Sequence, residues 1–399
     1  METRRGALQG LTVLDMTRVL AGPFAGMIMA DMGANVIKVE EPEKGADERH
    51  MGPFQNGESA YFMNLNRNKR GITVNLKAPT GKELFRQLVQ KADIVLENFR
   101  PGTMEKLGLG YEDLQKINPR IIYAAISGFG HYGPYKDRPG YDIISQAMSG
   151  LMSTTGWPGG EPTRTGTAMG DVLGGLSCVI GILAAVHNRS LTGEGQKVDV
   201  ALVDSAVASL EIINMIYLTE KRIPQRIGNR YESTYPYDSF KAADGSLVIG
   251  TANDKLWQNL CALMQRPDLA AKQEWARVRD RVQNHAAVKI EVENWTVQHK
   301  VADLVDMLLA AGVPAAPINN IEQVVNDPHI AGAREMFVEI DHPKAGKLKI
   351  TGSHIKMSAT PPSIRVPSPA LGEHNAAVLG ELLGLNGEQV AGLKADGAI

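Results

Sequence analysis

Short β-rich apolar runs alternate with longer segments of helical period through the first half of the chain. Leu11–Leu14, Val36–Val39, Ile72–Asn75, Ile94–Leu96, Ile121–Ile126 and Val198–Ala201 read as strands. Between them, helices are predicted from Pro23, well placed in a first turn, to about Met32, and near Gly81–Lys91, Tyr111–Ile117, Tyr141–Leu151 and Ser205–Tyr217. Strands alternating with helices in this way predict an α/β fold, a Rossmann-like large domain built on a parallel sheet.

The rhythm breaks at 219–230, a polar stretch holding Pro224 and Gly228 that reads as a linker. Beyond it Tyr237–Phe240 and Leu247–Gly250 flank Asp244 and Gly245, a hairpin signal. Helices near Lys255–Met264, Ala287–Val297 and Val301–Ala310 follow. The predicted division is 1–218 as the first part of a large domain, 231–312 as a smaller α+β domain, 313–330 as a second linker, and 331–399 completing the large domain. Proline, glycine and short strands return after Pro314, and a last helix is read at Asn375–Leu383.

One charge stands out against this pattern. Asp171 follows Gly166–Gly170 and precedes Val172–Val186, a run of apolar or small residues with three glycines. That run is shorter than the roughly 18 residues of a membrane span and predicts a buried helix. At its start Asp171 reads as an N-cap, accepting orphan backbone N–H groups and kept ionised by the helix dipole. The bracket of Gly166, Gly170, Gly174 and Gly175 supports a second reading, because it lets something bulky approach and leaves an ionised carboxylate as a nucleophile.

Bulk properties narrow the choices. A chain of 399 residues with net charge −2 has no basic excess for nucleic acid, and its two cysteines, Cys178 and Cys261, supply neither a disulfide framework nor a zinc cluster. The first ten residues lack the apolar core of a secretory signal, so a cytoplasmic setting is expected. Gly128, Gly130 and Gly133 match the dinucleotide fingerprint in letters, yet Pro134 and Pro139 follow where a helix should begin. The segment is predicted to be a loop, and a nicotinamide dehydrogenase is disfavoured.

Several stretches together carry a resemblance: Leu8–Pro23 leading to Gly33–Glu40; Asn66–Arg70; Glu97–Gly102; Gly128–Pro134 with Gly140–Asp142; the Asp171 segment; and Leu371–His374. In this order they resemble the class III CoA-transferases, the family of formyl-CoA transferase and carnitine CoA-transferase, and most nearly its short members acting on dicarboxylates. The resemblance implies that Asp171 attacks an acyl-CoA thioester to give an aspartyl anhydride and then an aspartyl-CoA thioester. An ordinary carboxylate, with a pKa near 4, is ionised at neutral pH and needs no base. CoA and acyl-CoA enter as substrates, with no permanently bound cofactor and no metal expected.

By position in the family's pattern, Val19, Leu20, Val74, Asn75, Lys77, Asn98, Phe99, Arg100, Lys106, Arg138 and Tyr141 are the CoA-contacting residues. The ends of the first and third strand groups also suit ligand binding in an open α/β sheet. The acceptor is expected to be a small dicarboxylic acid, with Arg164 as a clamp for the second carboxylate, a residue that reads equally as a surface loop arginine; His131, Tyr235 and Tyr237 are further candidates that read first as structural residues. Two departures are visible. A single glycine stands near Gly250–Asp254, where formyl-CoA transferase carries a glycine run, and Glu41 stands where that enzyme has a nucleotide-binding arginine. An interlocked homodimer, with no membrane or nucleic-acid partner, is the assembly that the resemblance implies. The rival readings are an α-methylacyl-CoA racemase, which carries histidine where this chain has Tyr141, and a non-catalytic CoA-binding subunit.

Overall fold

The protein is described here by a computed structural model covering residues 6–399. Residues 1–5, part of the segment read against a secretory signal, lie outside the described residues. Two compact units are present, one made of 1–151, 164–215 and 328–399, the other of 152–163 and 216–327. Relative to the division expected from sequence, 152–163 and 313–327 pack with the second unit.

The first unit is built on six strands: β1 (Thr12–Asp15), β2 (Asn35–Glu40), β3 (Arg70–Thr73), β4 (Ile94–Glu97), β5 (Ile122–Ser127) and β6 (Lys197–Ala201). They pair in the order β3-β2-β1-β4-β5-β6, every pair parallel. The order reverses between β1 and β4, and ligands of such sheets bind beyond the carboxyl ends of the strands at that point. Both faces of the sheet are covered, which is why its central strands β1, β4 and β5 are mainly apolar runs. Val13, Val36, Ile94 and Ile122 face α1 (Ala21–Asp31) and the helix carrying Asp171. Leu14, Ile37, Val95 and Tyr123 face the other way, against α2 (Pro79–Lys91).

Further along the chain come α3 (Tyr111–Ile117), α4 (Asp142–Met148), α5 (Met169–Thr192) and α6 (Leu202–Ala208). Helix α5 corrects the sequence reading twice. It is 24 residues long, enough by length and apolarity to cross a membrane, because it starts before Asp171 and continues past Val186 to Thr192. It nevertheless lays Cys178, Ile182 and Ala185 on the sheet and buries Arg189, whose guanidinium pairs with Asp93 at 2.9 Å. Its N-cap is Ala168, so Asp171 is the third residue of the first turn rather than the cap. The helix expected over Ser205–Tyr217 is interrupted after Ala208, with a short turn of helix at Glu211–Met215.

In the second unit β7 (Tyr237–Lys241) and β8 (Ser246–Gly250) form the expected hairpin, and β9 (Ala315–Pro317) adds antiparallel to β8. Helices α7 (Asp254–Leu263), α8 (His285–Thr296) and α9 (Val301–Ala310) enclose a core around Trp257, Leu260, Val292 and Leu304. Asp244 in the hairpin turn accepts the Val301 N–H at 2.9 Å and so fixes the start of α9. Back in the first unit, β10 (Phe337–His342) pairs with β11 (Gly346–Thr351), and α10 (Asn375–Leu383) packs on the β3 side of the sheet. A final helix, α11 (Gly387–Ala395), had no counterpart in the sequence reading; its start is fixed by a capping box of Asn386 and Gln389.

Candidate active site

Asp171 lies beside the switch point because glycines draw α5 onto its neighbours. A Cβ on Gly175 would fall 2.7 Å from the Ala21 carbonyl oxygen, one on Gly174 would fall 2.6 Å from Leu202, and one on Gly170 would strike the Ser145 hydroxyl. The glycines therefore admit protein, not a bulky ligand, to the helix backbone. Their effect is still to place Asp171 against the first turn of α1. Asp142 at the head of α4 accepts the Gly170 N–H at 2.8 Å and fixes the start of α5 from the other side.

The Asp171 carboxyl is half-buried, and burial, reinforced by the nearby Asp142 carboxylate, pushes its pKa up from the ordinary value to about 7. The sequence reading had it fully ionised at neutral pH; desolvation outweighs the helix dipole. Tyr61 lies within electrostatic reach of Asp171, and burial followed by that negative charge drives its phenol further toward the protonated form. Since the native state holds a proton that the unfolded chain releases, stability from this group is present below about pH 4 and is lost as pH rises through 7. Asp171→Asn is thus expected to raise the melting temperature at pH 8 and to leave it unchanged at pH 4, as read by thermal denaturation at the two pH values.

A cavity of roughly 210 Å³ opens at this carboxyl. Its walls include Arg18–Ala21 after β1, Asn98–Pro101 after β4, Ser127 and Gly128 at the end of β5, and Arg138–Tyr141. A second cavity, of roughly 450 Å³, is lined by Val74–Lys77 after β3, by Glu40 and Glu41 at the end of β2, and by Thr103 and Lys106. Arg18 and Phe99 line both, so the two cavities share a wall. All eleven positions expected to contact CoA line one cavity or the other. Lys77 is paired with Glu41 at 2.8 Å, so the residue standing in for an arginine takes up one of the cavity's cations.

The loop after β1 is held from beneath by charges that the sequence pattern did not reveal. Val19 has left-handed backbone, φ 66°, a conformation that a β-branched residue resists. Its N–H is held by Glu48 Oε2 at 2.9 Å, and the other oxygen of Glu48 accepts from Lys38 at 3.0 Å, with both side chains wholly buried. Lys69 pairs with Asp15 at 2.7 Å in the same buried group. Burial opposes the charge on Lys38, but Glu48, Asp15 and Glu40 more than offset it and its pKa is raised. Lys69 is pulled down to about 8 because burial there outweighs Asp15. Arg18 and Asn98 exchange backbone and amide hydrogen bonds at 2.8 and 2.7 Å, joining the loops after β1 and β4.

The acceptor candidates fare differently. Arg164 is exposed, donates to the neighbouring Thr165 carbonyl at 3.2 Å and lines neither cavity. His131 lies beneath the β5 loop, its Nδ1 3.0 Å from Lys197 Nζ and its Nε2 3.7 Å from Glu97, away from both cavity walls. Tyr235 is buried in the core of the second unit, edge-on to His285, which leaves no open face for a substrate. Tyr237 is half exposed on β7. The dinucleotide-like glycines form a loop, with Gly130 and Gly133 at positive φ and no helix before Asp142. Near Gly250–Asp254, Asn253 caps α7 by accepting the Leu256 N–H at 2.9 Å.

Two adjoining cavities beyond the carboxyl ends of the strands, the smaller with the Asp171 carboxyl on its wall, agree with sequence comparison, in which a model described as CoA-transferase family III matches residues 8–375. The chain belongs to CoA-transferase family III. This enzyme is 43% identical to succinyl-CoA:mesaconate CoA-transferase of Haloarcula marismortui, over 94% of this chain and 96% of that protein. It is 41% identical to succinate–glutarate CoA-transferase of Agrobacterium fabrum, over 96% and 97%. A crystal structure of a CaiB/BaiF family protein from Brucella suis superposes with a TM-score of 0.83 at 41% identity, covering 95% of this chain and all of that one.

The sequence reading of this CoA-transferase missed Arg18, Asp47, Pro101 and Ser127 as cavity residues, and Glu48 as the support of Val19. Arg18 and Pro101 sat next to residues already singled out. Glu48, in the charged stretch Gly45–His50, carried no signal that separates a buried glutamate from a solvated one.

Proposed function

We propose that this enzyme moves CoA from a succinyl-CoA or acetyl-CoA donor to a small dicarboxylate, with Asp171 as the covalent nucleophile. The observation that carries the reading is the placement of Asp171 on the wall of a cavity that shares Arg18 and Phe99 with the proposed nucleotide site. An Asp171 oxygen attacks the thioester carbonyl; the C–S bond breaks, giving an acyl-aspartyl anhydride and CoA thiolate. The thiolate attacks the aspartyl carbonyl, the donor acid leaves as carboxylate, and an aspartyl-CoA thioester remains. The acceptor carboxylate then reverses both steps, so one thioester is exchanged for another with no net proton or electron.

In this reading Lys77, Arg100 and Lys106 serve the CoA phosphates, Phe99 and Val74 the adenine, and Val19, Leu20 and Tyr141 the pantetheine end. A cavity of roughly 210 Å³ is below the roughly 300–1,000 Å³ typical of pockets for drug-sized ligands, which favours a small acyl group. The relatives named for mesaconate and glutarate support a dicarboxylate acceptor. An interlocked homodimer in the cytoplasm belongs to the same reading and rests on the family resemblance.

Incubating the protein with succinyl-CoA or acetyl-CoA and a panel of dicarboxylates tests it by the appearance of a new acyl-CoA. No new thioester with any acceptor, together with epimerisation of a 2-methylacyl-CoA, would overturn the reading in favour of a racemase. Because only the carboxylate attacks, kcat/KM is expected to climb with pH through about 7 and to level off above it. A profile flat down to pH 5 would show that Asp171 ionises like an ordinary aspartate when the substrate arrives.

A further inference from the structure

Glu97, the last residue of β4, is a buried carboxyl that the proposed chemistry does not use. It lines neither cavity, but the residues after it do: Asn98 and Arg100 stand on the wall of the Asp171 cavity, and Phe99 on the wall that both cavities share. Glu97 holds this turn from behind, its Oε2 accepting the Phe99 N–H at 2.7 Å. Arg18 crosses to the same turn, exchanging hydrogen bonds with Asn98 and placing its guanidinium carbon 5.4 Å from the centre of the Phe99 ring. What fixes Phe99 therefore also fixes the loop after β1.

Among the described residues no lysine or arginine forms an ion pair with this carboxyl; the groups set against its oxygens are neutral donors. The Tyr123 hydroxyl on β5 donates to Oε1 at 3.0 Å, and His131 Nε2, buried with no hydrogen-bond partner, faces the same oxygen at 3.7 Å. The other imidazole nitrogen sets the tautomer. Lys197 on β6 lies 3.0 Å from Nδ1, and an ammonium only donates, so Nδ1 accepts and Nε2 carries the proton. Asp199, also on β6, accepts the His131 backbone N–H at 2.9 Å. A carboxylate suits all three donors, whereas a protonated carboxyl has one acceptor fewer to offer them. Burial pushes Glu97 up to about 7, with the Glu105 carboxylate adding to it and the Phe99 N–H, the Tyr123 hydroxyl and the Lys197 charge acting the other way. Burial and Lys197 push His131 down against the pull of Asp199 and Glu105, and the Cys178 thiol on α5, within electrostatic reach of Glu97, is pushed up by burial.

We propose that Glu97 is a positioning residue for acyl-CoA, fixing the Phe99 turn as a carboxylate that Tyr123 and His131 orient, with Lys197 setting the His131 tautomer. The proposal rests on the CoA reading above and gives His131 a role behind the site in place of a contact with the acceptor. Loss of the Glu97 charge loosens the turn, so CoA affinity falls as pH drops through the neutral range, separately from any change at Asp171.

Calorimetric titration of the full-length protein with CoA at pH 8 and pH 5.5 tests this by comparing the wild type with Glu97→Gln. Glutamine keeps the shape and one acceptor but turns its amide N–H toward a donor, so the variant copies the protonated wild type. Its Kd for CoA is expected to be about tenfold above the wild type's at pH 8, the scale of one charged hydrogen bond, and to match it at pH 5.5. Asp171 and the CoA phosphates titrate in both proteins and drop out of the comparison. Equal Kd values at pH 8 would overturn the proposal, and a gap that persists at pH 5.5 would overturn it in favour of a packing role. Tyr123→Phe supplies an independent check if Glu97→Gln does not fold. With one donor fewer Glu97 ionises at higher pH, so CoA binding is expected to weaken at pH 7 and to equal the wild type's at pH 9; equal binding at pH 7, or the same loss at both values, would overturn the proposal. A wild-type protein that binds no CoA at pH 8 would bring down the CoA reading beneath it as well.

Discussion

An Asp171→Ala variant is expected to fold and bind CoA and to lose transfer by at least roughly 10⁴-fold, the scale seen when a covalent nucleophile is removed. The nearby Asp142 carboxyl cannot take its place, because it already holds the Gly170 N–H and the Gln146 amide. Loss of a cap would look different. Asp171 makes no capping hydrogen bond, so its removal costs α5 little, and taking a half-buried carboxylate away stabilises the protein above neutral pH. Two measurements check this together: steady-state transfer, and mass spectrometry of enzyme mixed with acyl-CoA, in which the wild type gains a covalent CoA adduct and the variant does not. Turnover within tenfold of wild type would remove Asp171 from the chemistry.

The second large effect is expected at Glu48, far less conspicuous in the sequence. Glu48→Ala leaves the wholly buried Lys38 ammonium without its ion-pair partner and removes the acceptor that holds Val19 in left-handed backbone. Breaking one side of a buried ion pair costs roughly 3–5 kcal/mol, a large part of the roughly 5–15 kcal/mol that stabilises a typical domain. Urea denaturation is expected to show that loss. Glu48→Gln combined with Lys38→Met keeps an acceptor for the Val19 N–H and removes both charges, and is expected to recover most of the stability and of kcat/KM. If the double variant is stable but as inactive as Glu48→Ala, the charges themselves, and not the loop they hold, are what transfer requires.

The strands were legible because a parallel sheet covered on both faces demands continuous apolar runs, and the loop over Gly128–Pro139 was legible because proline cannot open the helix a dinucleotide needs. Asp171 was legible for a related reason, as one charge in a stretch that otherwise avoids charge. The buried group of Asp15, Lys38, Glu48 and Lys69 was not. A charged residue in a local pattern reads as solvent-facing, and only its partners, up to 54 residues away along the chain, show that it is inside.

From the sequence alone came the α/β class, the family to which the chain belongs, the standing of Asp171 as a lone charge and eleven of the residues that line the two cavities. These follow from short-range pattern and from the fixed order of motifs. The tertiary structure decided what Asp171 is like: a third-position residue rather than a cap, with a pKa near 7 rather than 4. It decided equally that Arg164 lies outside both cavities, donating to the Thr165 carbonyl instead. Desolvation and the pairing of charges depend on which distant segments the fold brings together, and no local window of sequence contains that information.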